Sequence, residues 1–458
     1  MARGLVVSVA ADEGQGVLEA DFLVVGAGMA GMTAAGFAAH HGASVVVVEK
    51  GPKIGGSAVL SGGGLWTAAD VETLRSVNPQ GDPELGRVLI EGYEAIGEWI
   101  ESTGVAISER RPSDVIQGFA SWGRSFDVLG YVQRCSRMVI DAGGAVVTGA
   151  TVQQLIVENG QVAGAVVVDR DGETSVKAPF TLLSSGGFQN DPVLRKKYIG
   201  EHADSLLVRS NPNSAGDGLR LGMSVGAGIS PHMDGWYGHT VPYPLQRFTP
   251  ADYLRLAQFG LSPRSILLDR AGNRFIDESV GYYINAQMVS RLPAGHALLV
   301  FDDTARAEDA SGFGAAEQID RPREAAREGA RVAEADHPGE LDAMVKPWGF
   351  SGVATAIEQF NRDLANDTLS PPRKRNRCPL RKAPFFAMEV QPAITFTMGG
   401  LRIDGHARVL DERGQIIPGL LAAGVDAGGI YYMAYAGGLA YSGVFGMQAA
   451  ENVLSARS

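Results

Sequence analysis

Three glycines near the N-terminus have the spacing of a phosphate-binding turn. Gly26, Gly28 and Gly31 form Gly-x-Gly-x-x-Gly, and Glu49 follows further along the chain. In such a turn the first glycine permits the sharp bend, the second lets a pyrophosphate approach the backbone, and the third lets the helix pack on the strand. Glu49 is placed to accept a hydrogen bond from a ribose hydroxyl. The alternative is a glycine-rich turn without a ligand, so the flanking elements must decide.

The elements on either side of these glycines favour a dinucleotide site. An apolar strand, Phe22–Val25, precedes the turn, an alanine-rich helix follows it, and a second apolar strand, Ser44–Val48, ends at Glu49. Strand, helix and strand in this order form a βαβ unit. The sequence therefore predicts a Rossmann-like α/β fold that binds a dinucleotide.

Composition excludes several classes of protein. The chain has 458 residues, 45% of them apolar, and a formal net charge of −11. That length predicts two domains or one domain with a long insertion, and the acidic balance argues against nucleic acid as a partner. No apolar run approaches the ~20 residues of a membrane span, and the N-terminus lacks the apolar core of a signal peptide. Cys135 and Cys378 lack metal-ligand or haem spacing, so we expect no metal and a cytoplasmic location.

The segment after Glu49 extends the nucleotide motif. It contains Gly55-Gly56-Ser57 and the run Ser61-Gly62-Gly63-Gly64. With the later stretches LLSSGGFQN, NSAGDGLRLG, ILLDRAGNRFIDES and TMGGLRIDG, it resembles the flavoprotein family of soluble fumarate reductases and 3-ketosteroid Δ1-dehydrogenases over nearly the whole chain. The resemblance implies FAD as cofactor.

The same resemblance implies the residues that hold FAD and the domain organisation. The cofactor residues are Gly26, Gly28, Ala30, Gly31, Glu49, Lys50, Gly56, Ser57, Ser61, Gly62, Gly63, Gly64, Val152, Ser185, Gly186, Gly187, Asp217, Gly424, Asp426, Gly438 and Ser442. Ser57 and Ala58 stand where members with covalent flavin carry a histidine, so we expect non-covalent FAD. Val425 stands where relatives have Glu or Asn, with Asp426 next to it. We expect an FAD-binding domain in two parts, 1–238 and 386–458, with an inserted α+β cap domain for the substrate at 239–385.

Two branches of the family differ in their catalytic residues. Fumarate reductases use a proton-donating arginine, with which Arg306 aligns, together with a histidine and a second arginine that bind the two carboxylates. Phe396 and Tyr435 occupy those last two positions here, so a dicarboxylate loses most of its partners. Arg306 has two readings, as an ion-pair partner of Asp302 or Asp303 or as the ligand of a substrate carboxylate.

The ketosteroid dehydrogenases match better around two tyrosines. The resemblance implies that Tyr435, in Tyr-Ala-Gly, donates to a ketone oxygen together with amides of the Gly437-Gly438 turn. Tyr282, after Asp-Glu-Ser, would take the α-proton as a tyrosinate whose pKa its surroundings lower, while the β-hydride passes to flavin N5. Leu439 replaces an oxyanion-binding glycine, and Tyr283 is an alternative base. The other reading of these tyrosines is packing in a cap domain. Trp122, Trp236, Tyr237 and His239 also have two readings, as walls of the pocket or as packing residues, and we favour packing for each.

These features predict an FAD-dependent dehydrogenase that desaturates a cyclic ketone. The substrate would be a 3-ketosteroid or a smaller ketone, with or without a carboxylate, as in 4-oxocyclohexanecarboxylate. The alternatives are a carboxylate oxidoreductase of the fumarate reductase or tricarballylate dehydrogenase type and a non-catalytic flavin-binding protein. We expect dioxygen, a quinone or a redox partner as the electron acceptor, because the sequence shows no iron–sulfur or haem ligands.

Overall fold

A computed structural model describes residues 16–113, 118–245, 247–258, 260–311 and 319–457. The strands are β1 (Gly16–Glu19), β2 (Phe22–Val25), β3 (Val45–Glu49), β4 (Gly64–Ala68), β5 (Arg111–Ser113), β6 (Ser121–Ser125), β7 (Ala145–Thr148), β8 (Thr151–Glu158), β9 (Gln161–Asp169), β10 (Gly172–Lys177), β11 (Phe180–Leu183), β12 (Leu207–Val208), β13 (Trp236–Pro242), β14 (Ile266–Leu268), β15 (Ala297–Asp302), β16 (Val332–Ala335), β17 (Phe385–Thr397), β18 (Arg408–Leu410) and β19 (Ile416–Ala422). The helices are α1 (Met29–His40), α2 (Val71–Val77), α3 (Pro83–Ser102), α4 (Val128–Asp141), α5 (Pro192–Tyr198), α6 (Asp217–Ser224), α7 (Tyr253–Leu256), α8 (Tyr282–Ser290), α9 (Asp303–Ser311), α10 (Arg321–Arg327), α11 (Pro338–Val345), α12 (Val353–Ala365) and α13 (Gly438–Ser455). The N-terminal segment that we judged not to be a signal peptide lies outside the described residues.

A six-stranded sheet carries the predicted βαβ unit. Its order is β18-β19-β11-β2-β3-β7, and the strands from β19 to β7 run parallel. β2 and β3 are fully buried, as expected for apolar strands that helices cover on both faces. The α/β class and the first three elements of the fold are confirmed, with β3 beginning at Val45 rather than Ser44.

A four-stranded sheet joins the first sheet at its side. β8 and β9 pair in the antiparallel sense around a turn at Asn159 and Gly160. Both residues have positive φ, 52° and 79°, which is the requirement of a tight hairpin turn. The hairpin places Val152 next to the nucleotide motif, because β8 follows β7 directly.

A second six-stranded sheet forms the core of the predicted cap. The order β12-β17-β15-β14 gives its path, and β13 and β16 also pair with β17. β17 is 13 residues long and buried along most of its length, so it is the central strand of this sheet. The sheet draws on β12, before residue 239, and on β17, almost all of which follows residue 385. The predicted limits of the cap therefore fall within one hydrogen-bonded sheet.

The described helices include none that is long and apolar enough to cross a membrane.

Candidate active site

A cavity of about 920 Å³ opens at the carboxyl ends of β2, β3 and β11. Ligands of open α/β sheets bind at this edge, outside the carboxyl ends of the strands. The volume lies near the top of the range for ligand pockets. The cavity therefore has the place and the size that a dinucleotide requires.

The turn after β2 presents backbone rather than side chains to this cavity. Gly26 has a φ of +103°, and a Cβ added there would lie 2.4 Å from the carbonyl oxygen of Ser184. A Cβ on Gly31 would lie 2.0 Å from the carbonyl oxygen of Gly26, so α1 packs this closely only because none is present. Around the Cβ position of Gly28, in contrast, no atom lies within 4 Å. The open space in front of Gly28 is where a pyrophosphate can approach the start of α1.

Glu49 holds the same turn from the neighbouring strand. One carboxylate oxygen accepts from the amide of Ala27 at 2.9 Å, and the other accepts from the amide of Gly51 at 2.6 Å. Each carboxylate oxygen has a second lone pair with which to accept from a ribose hydroxyl. Glu49 lines the cavity, in the position that the sequence predicted.

The remaining predicted cofactor residues divide into two groups. The cavity is lined by Ala30, Lys50, Gly56, Ser57, Ser61, Gly62, Gly64, Val152, Ser185, Gly186, Gly187, Asp217, Gly424, Gly438 and Ser442. Gly31, Gly63 and Asp426 lie behind the wall. Gly63 has a packing role, since a Cβ there would lie 2.5 Å from the carbonyl oxygen of Phe126. The walls combine open backbone at Gly28, an acidic side chain at Glu49 and several hydroxyls, and this set of groups fits FAD.

Asp426 does not occupy the cofactor position that we predicted for it. Its side chain accepts from the amide and the hydroxyl of Ser185, and the hydroxyl of Ser185 in turn accepts from the amide of Gly218 at 2.9 Å. Burial raises the pKa of Asp426 to about 7, although the hydrogen bonds from Ser185 act in the opposite direction. Val425, not Asp426, lines the cavity, and the Asp426 carboxyl connects the sheet to α6 through Ser185.

Four side chains from three segments meet in the part of the cavity where we expect the substrate, the substrate end. The ring centroid of Tyr237 lies 4.1 Å from that of Tyr435 and 6.3 Å from that of Tyr282. The hydroxyl of Tyr237 lies 3.2 Å from the hydroxyl of Tyr282 and 3.1 Å from Nε2 of His239. The two predicted catalytic tyrosines, far apart in sequence, are thus joined through Tyr237.

Tyr237 and His239 both line the cavity. The sequence allows them as walls of the pocket but favours packing, so the structure supports the reading that was not favoured. The available signal was their spacing, because residues two apart on a strand share a face. Trp122 and Trp236, given the same assignment, do not line the cavity, and Trp236 is buried in the core.

Tyr435 is held at the N-terminus of α13. The amide of Gly438 donates to the Tyr435 hydroxyl at 2.8 Å, and the ring of Trp66 stands edge-on at 5.1 Å. Burial raises the pKa of Tyr435, so the phenol keeps its proton at any ordinary pH. Because its oxygen already accepts a hydrogen bond, its own proton is the group that it offers to a ligand.

Tyr282 begins α8 and is 4% exposed. Burial, followed by the neighbouring Tyr237, raises its pKa well above the ordinary value of a phenol. The prediction that the surroundings lower this pKa is therefore wrong for the protein without substrate. In that state Tyr282 is a neutral phenol.

Tyr283 lies beside Tyr282 but does not line the cavity. Its hydroxyl interacts with the backbone amide of Tyr435, and Gln287 on the same helix donates to the carbonyl of Met433 at 2.9 Å. The helix α8 is thereby tied to the loop that carries Tyr435. Of the two adjacent tyrosines, Tyr282 is the one that reaches the cavity.

The structure does not bring Arg306 to the cavity. Its Nε and Nη2 donate to Asp303 at 2.9 and 2.6 Å, and its Nη1 donates to Asp320 at 2.8 Å. These ion pairs resemble the first of the two readings from the sequence, with Asp320 as a partner that it did not predict. Arg209, which the sequence reasoning did not single out, lines the cavity instead.

Phe396 and Tyr435 are the residues that the family resemblance places at the positions of the histidine and the second arginine of fumarate reductases. Both line the cavity, and their ring centroids are 5.6 Å apart. These two positions therefore carry two aromatic rings and one hydroxyl, where the resemblance to fumarate reductases would imply two cations.

Comparison with known proteins gives consistent matches. A family model described as FAD binding domain matches residues 21–439. The chain is 27% identical over 448 residues to NADH:fumarate oxidoreductase of Klebsiella pneumoniae (strain 342), covering 90% of this chain and 45% of that protein. It is 25% identical over 533 residues to 3-oxosteroid 1-dehydrogenase of Mycobacterium tuberculosis (strain ATCC 25618 / H37Rv), covering 89% of this chain and 93% of that protein. The chain thus spans under half of the first relative and nearly all of the second.

A solved structure shows the same fold. It is that of 3-ketosteroid delta1-dehydrogenase from Sterolibacterium denitrificans in complex with 1,4-androstadiene-3,17-dione. The TM-score is 0.76 at 19% identity, with 96% of this chain and 100% of that chain covered.

Proposed function

The chain belongs to the FAD binding domain family, and from this premise we propose that it desaturates a saturated, cyclic ketone between its α and β carbons. The predicted flavoprotein family, FAD as the cofactor and oxidoreductase activity are confirmed by the match and the relatives. The observation that carries the ketone proposal is the 2.8 Å hydrogen bond from the Gly438 amide to the Tyr435 hydroxyl, which leaves the phenol proton for a ketone oxygen.

FAD would be held without a covalent bond along the turn at Gly28, the carboxylate of Glu49 and the segment from Gly56 to Gly64. When bound, the flavin supplies the hydride acceptor for the β carbon. The protein's own residues have the task of binding the ketone, removing the α-proton and keeping water out.

Tyr435 binds and polarises the ketone oxygen. As the α C–H bond breaks, its electron pair moves toward that oxygen, and the phenol proton stabilises the charge that develops there. The N-terminus of α13 adds the positive end of an 18-residue helix close to the same point. Tyr435 does not have to lose its proton for this role, in agreement with its raised pKa.

Tyr282 takes the α-proton from the substrate. Its neutral resting state means that it must first pass its own proton on, and the Tyr237 hydroxyl at 3.2 Å is the nearest group for this transfer. His239, 3.1 Å beyond Tyr237, is neutral because burial lowers its pKa well below the ordinary value, so a ring nitrogen can accept a hydrogen bond from the Tyr237 hydroxyl without taking up the proton. The proton of Tyr282 is therefore released to solvent by way of the Tyr237 hydroxyl, and the phenolate that forms accepts the α-proton of the ketone.

One observation favours the alternative of a carboxylate oxidoreductase. Arg209 lines the cavity and is the kind of cation that a carboxylate substrate needs. In that reaction Tyr282 would still take the proton from the carbon next to the carboxylate. Of Tyr435 and Phe396, however, only Tyr435 has a hydroxyl that can donate a hydrogen bond to a carboxylate. We place this second, because the rings of Trp66, Tyr237 and Phe396 surround Tyr435, where a dicarboxylate would need a further cation. For either reaction we propose dioxygen, a quinone or a redox partner as the acceptor that reoxidises the flavin.

The test is anaerobic reduction of the purified holoenzyme. Cyclohexanone, 4-oxocyclohexanecarboxylate, a saturated 3-ketosteroid, succinate and tricarballylate are mixed with it separately, and the visible absorption of oxidised flavin is followed. Bleaching by a ketone, with formation of the α,β-unsaturated product, is the expected result. Bleaching by succinate or tricarballylate alone would overturn the ketone proposal in favour of the alternative.

A further inference from the structure

Arg209 is a buried cation in the wall of the cavity. It follows β12 directly, is 3% exposed, and its backbone amide donates to the carbonyl of Ile394 at 2.9 Å. Its backbone carbonyl accepts from the hydroxyl of Tyr253 at 2.7 Å. The main chain is thus fixed on both sides, so the guanidinium projects from a rigid position in the cap sheet.

The guanidinium lacks a counter-charge. Its Nη1 donates to the hydroxyl of Thr395 at 2.8 Å, while its Nε is buried and donates to no described residue. Its Cζ lies 4.1 Å from the ring centroid of Tyr253 and 5.4 Å from that of Phe248. The side chains of Tyr237, Tyr282 and His239 are also near enough to interact with its charge. No carboxylate of the described residues lies within 4.0 Å of it. Cation–π contacts offset part of the desolvation cost, but a buried charge normally has an ionic partner.

The other three buried arginines of the described chain each have either a carboxylate partner or several carbonyl acceptors. Arg321 pairs with Asp309 at 2.9 Å, and Arg373 pairs with Glu278 at 3.2 Å. Arg195 donates to three backbone carbonyls, those of Gln189, Ala203 and Asp204. Arg209 differs from all three because a single hydroxyl is its hydrogen-bond acceptor. It also differs because it faces a cavity.

We propose that Arg209 binds the carboxylate of the substrate, so that the substrate is a ketone bearing an acid group. This assignment rests on the proposed function for the ketone end, where Tyr435 and Tyr282 act. Tyr282 does not supply the missing charge, since it is a neutral phenol at rest. The Nη2 of Arg209 donates to no described residue, and together with the second N–H bond of Nη1 this planar group suits binding of a carboxylate. Arg209 replaces Arg306, whose donors are occupied by Asp303 and Asp320.

The first experiment measures binding without turnover. Cyclohexanecarboxylate and its uncharged analogue cyclohexanecarboxamide, neither of which has a ketone, are titrated into the oxidised holoenzyme, and the perturbation of the flavin absorption gives each Kd. We expect the acid to bind at least ~30-fold more tightly than the amide, as for a buried charge pair. Equal affinities in the wild-type protein would overturn the proposal whatever any variant does.

Two substitutions locate the effect. Arg209→Met keeps much of the packing volume, and Arg209→Lys keeps the charge; FAD content and circular dichroism establish that each variant is folded. We expect Arg209→Met to weaken binding of the acid by ~30-fold or more and binding of the amide by less than ~3-fold. Arg209→Lys should weaken binding of the acid by an intermediate factor. Arg306→Met is the matched control and should leave both affinities unchanged. An equal loss for acid and amide would assign Arg209 a packing role instead.

Turnover separates this inference from the proposed function. In one outcome, binding of the acid depends on Arg209 but no ketone bleaches the flavin. The anion site at Arg209 would then be supported, and the proposed desaturase reaction would be rejected. In the other outcome, cyclohexanone bleaches the flavin as efficiently as 4-oxocyclohexanecarboxylate does, and Arg209→Met changes only the pH profile. The desaturase reaction would then be supported, and the role of Arg209 would be to influence the ionisation of Tyr282 rather than to bind a carboxylate.

Discussion

The two ends of the cavity are built in different ways. The nucleotide end is formed by backbone that follows successive strands of one sheet, with glycines at the points of closest approach. The substrate end is formed by side chains of Tyr237, Tyr282 and Tyr435, which three distant segments contribute. A contiguous motif can therefore specify the first, whereas the second exists only after the chain has folded. Variants at the two ends should accordingly affect different properties.

The largest effect is expected at the base. Tyr282→Phe removes the group that takes the α-proton, so we expect ~10³–10⁴-fold slower flavin reduction by the ketone, with FAD content unchanged. Anaerobic stopped-flow absorbance measures the rate. Tyr283→Phe is the adjacent control, and loss of its single hydrogen bond should cost less than ~10-fold. Equal losses in both variants would mean that α8 acts as a structural unit and that Tyr282 is not the base.

A smaller loss is expected at the oxyanion donor. Tyr435→Phe removes the phenol proton but keeps the ring against Trp66 and Tyr237, so flavin reduction should slow by ~10²–10³-fold. The same assay applies, and flavin absorbance should show full FAD loading. A rate within a factor of three of the wild type would exclude the proposed contact with the ketone oxygen.

The pH dependence follows from the raised pKa of Tyr282. Since burial holds this pKa well above the ordinary value, the phenolate is the minor form throughout the neutral range, and its population grows about tenfold per pH unit. Flavin reduction should therefore accelerate by ~100-fold between pH 7 and pH 9, without a plateau below pH 10. A plateau near pH 7 would show that another group is the base.

At the nucleotide end, Gly28→Ala separates cofactor binding from folding. The new Cβ meets no atom within 4 Å, so the stability of the FAD-free protein should not change, while FAD binds ~10-fold or more weakly because the methyl group occupies the pyrophosphate approach. Gly31→Ala is the contrasting variant. Its Cβ would lie 2.0 Å from the Gly26 carbonyl oxygen, so it should lower thermal stability even without FAD. FAD titration and thermal unfolding measure the two effects.

The smallest effect on catalysis is expected at Asp426. Its pKa is raised to about 7, so the folded protein keeps a proton that the unfolded chain releases near pH 4. Stability should fall as pH rises from about 4 to about 7 and then level off, because the folded state binds more protons in this range. Asp426→Asn should remove this component while flavin reduction stays within ~3-fold. Thermal unfolding across the range tests it, and an unchanged pH profile would contradict it.

Local sequence patterns are sufficient to predict the sheet that contains β2 and β3, but they are not sufficient to predict the substrate end of the cavity. The glycine spacing and apolar runs predicted β2, α1 and β3, and Gly28 and Glu49 lie where the motif predicts. Arg306 was selected by alignment to a family pattern, and nothing local reveals that Asp303 and Asp320 occupy its donors. Tyr237 and Arg209 carry no motif, because their importance depends on what β17 brings beside them. The pKa of Tyr282 depends on burial, which a local motif does not encode.

The pairing of β13 with β17 has a consequence for the engineering of relatives. A chimaera that exchanges only residues 239–385 would import a new His239 and Tyr282 but retain the host's Tyr237, Phe396 and Tyr435. Two of these five cavity residues would then come from the donor and three from the host, and β17 beyond Phe385 would remain the host's. Transfer of substrate specificity within this family therefore requires exchange of residues 207–397 together with the loop at 431–438.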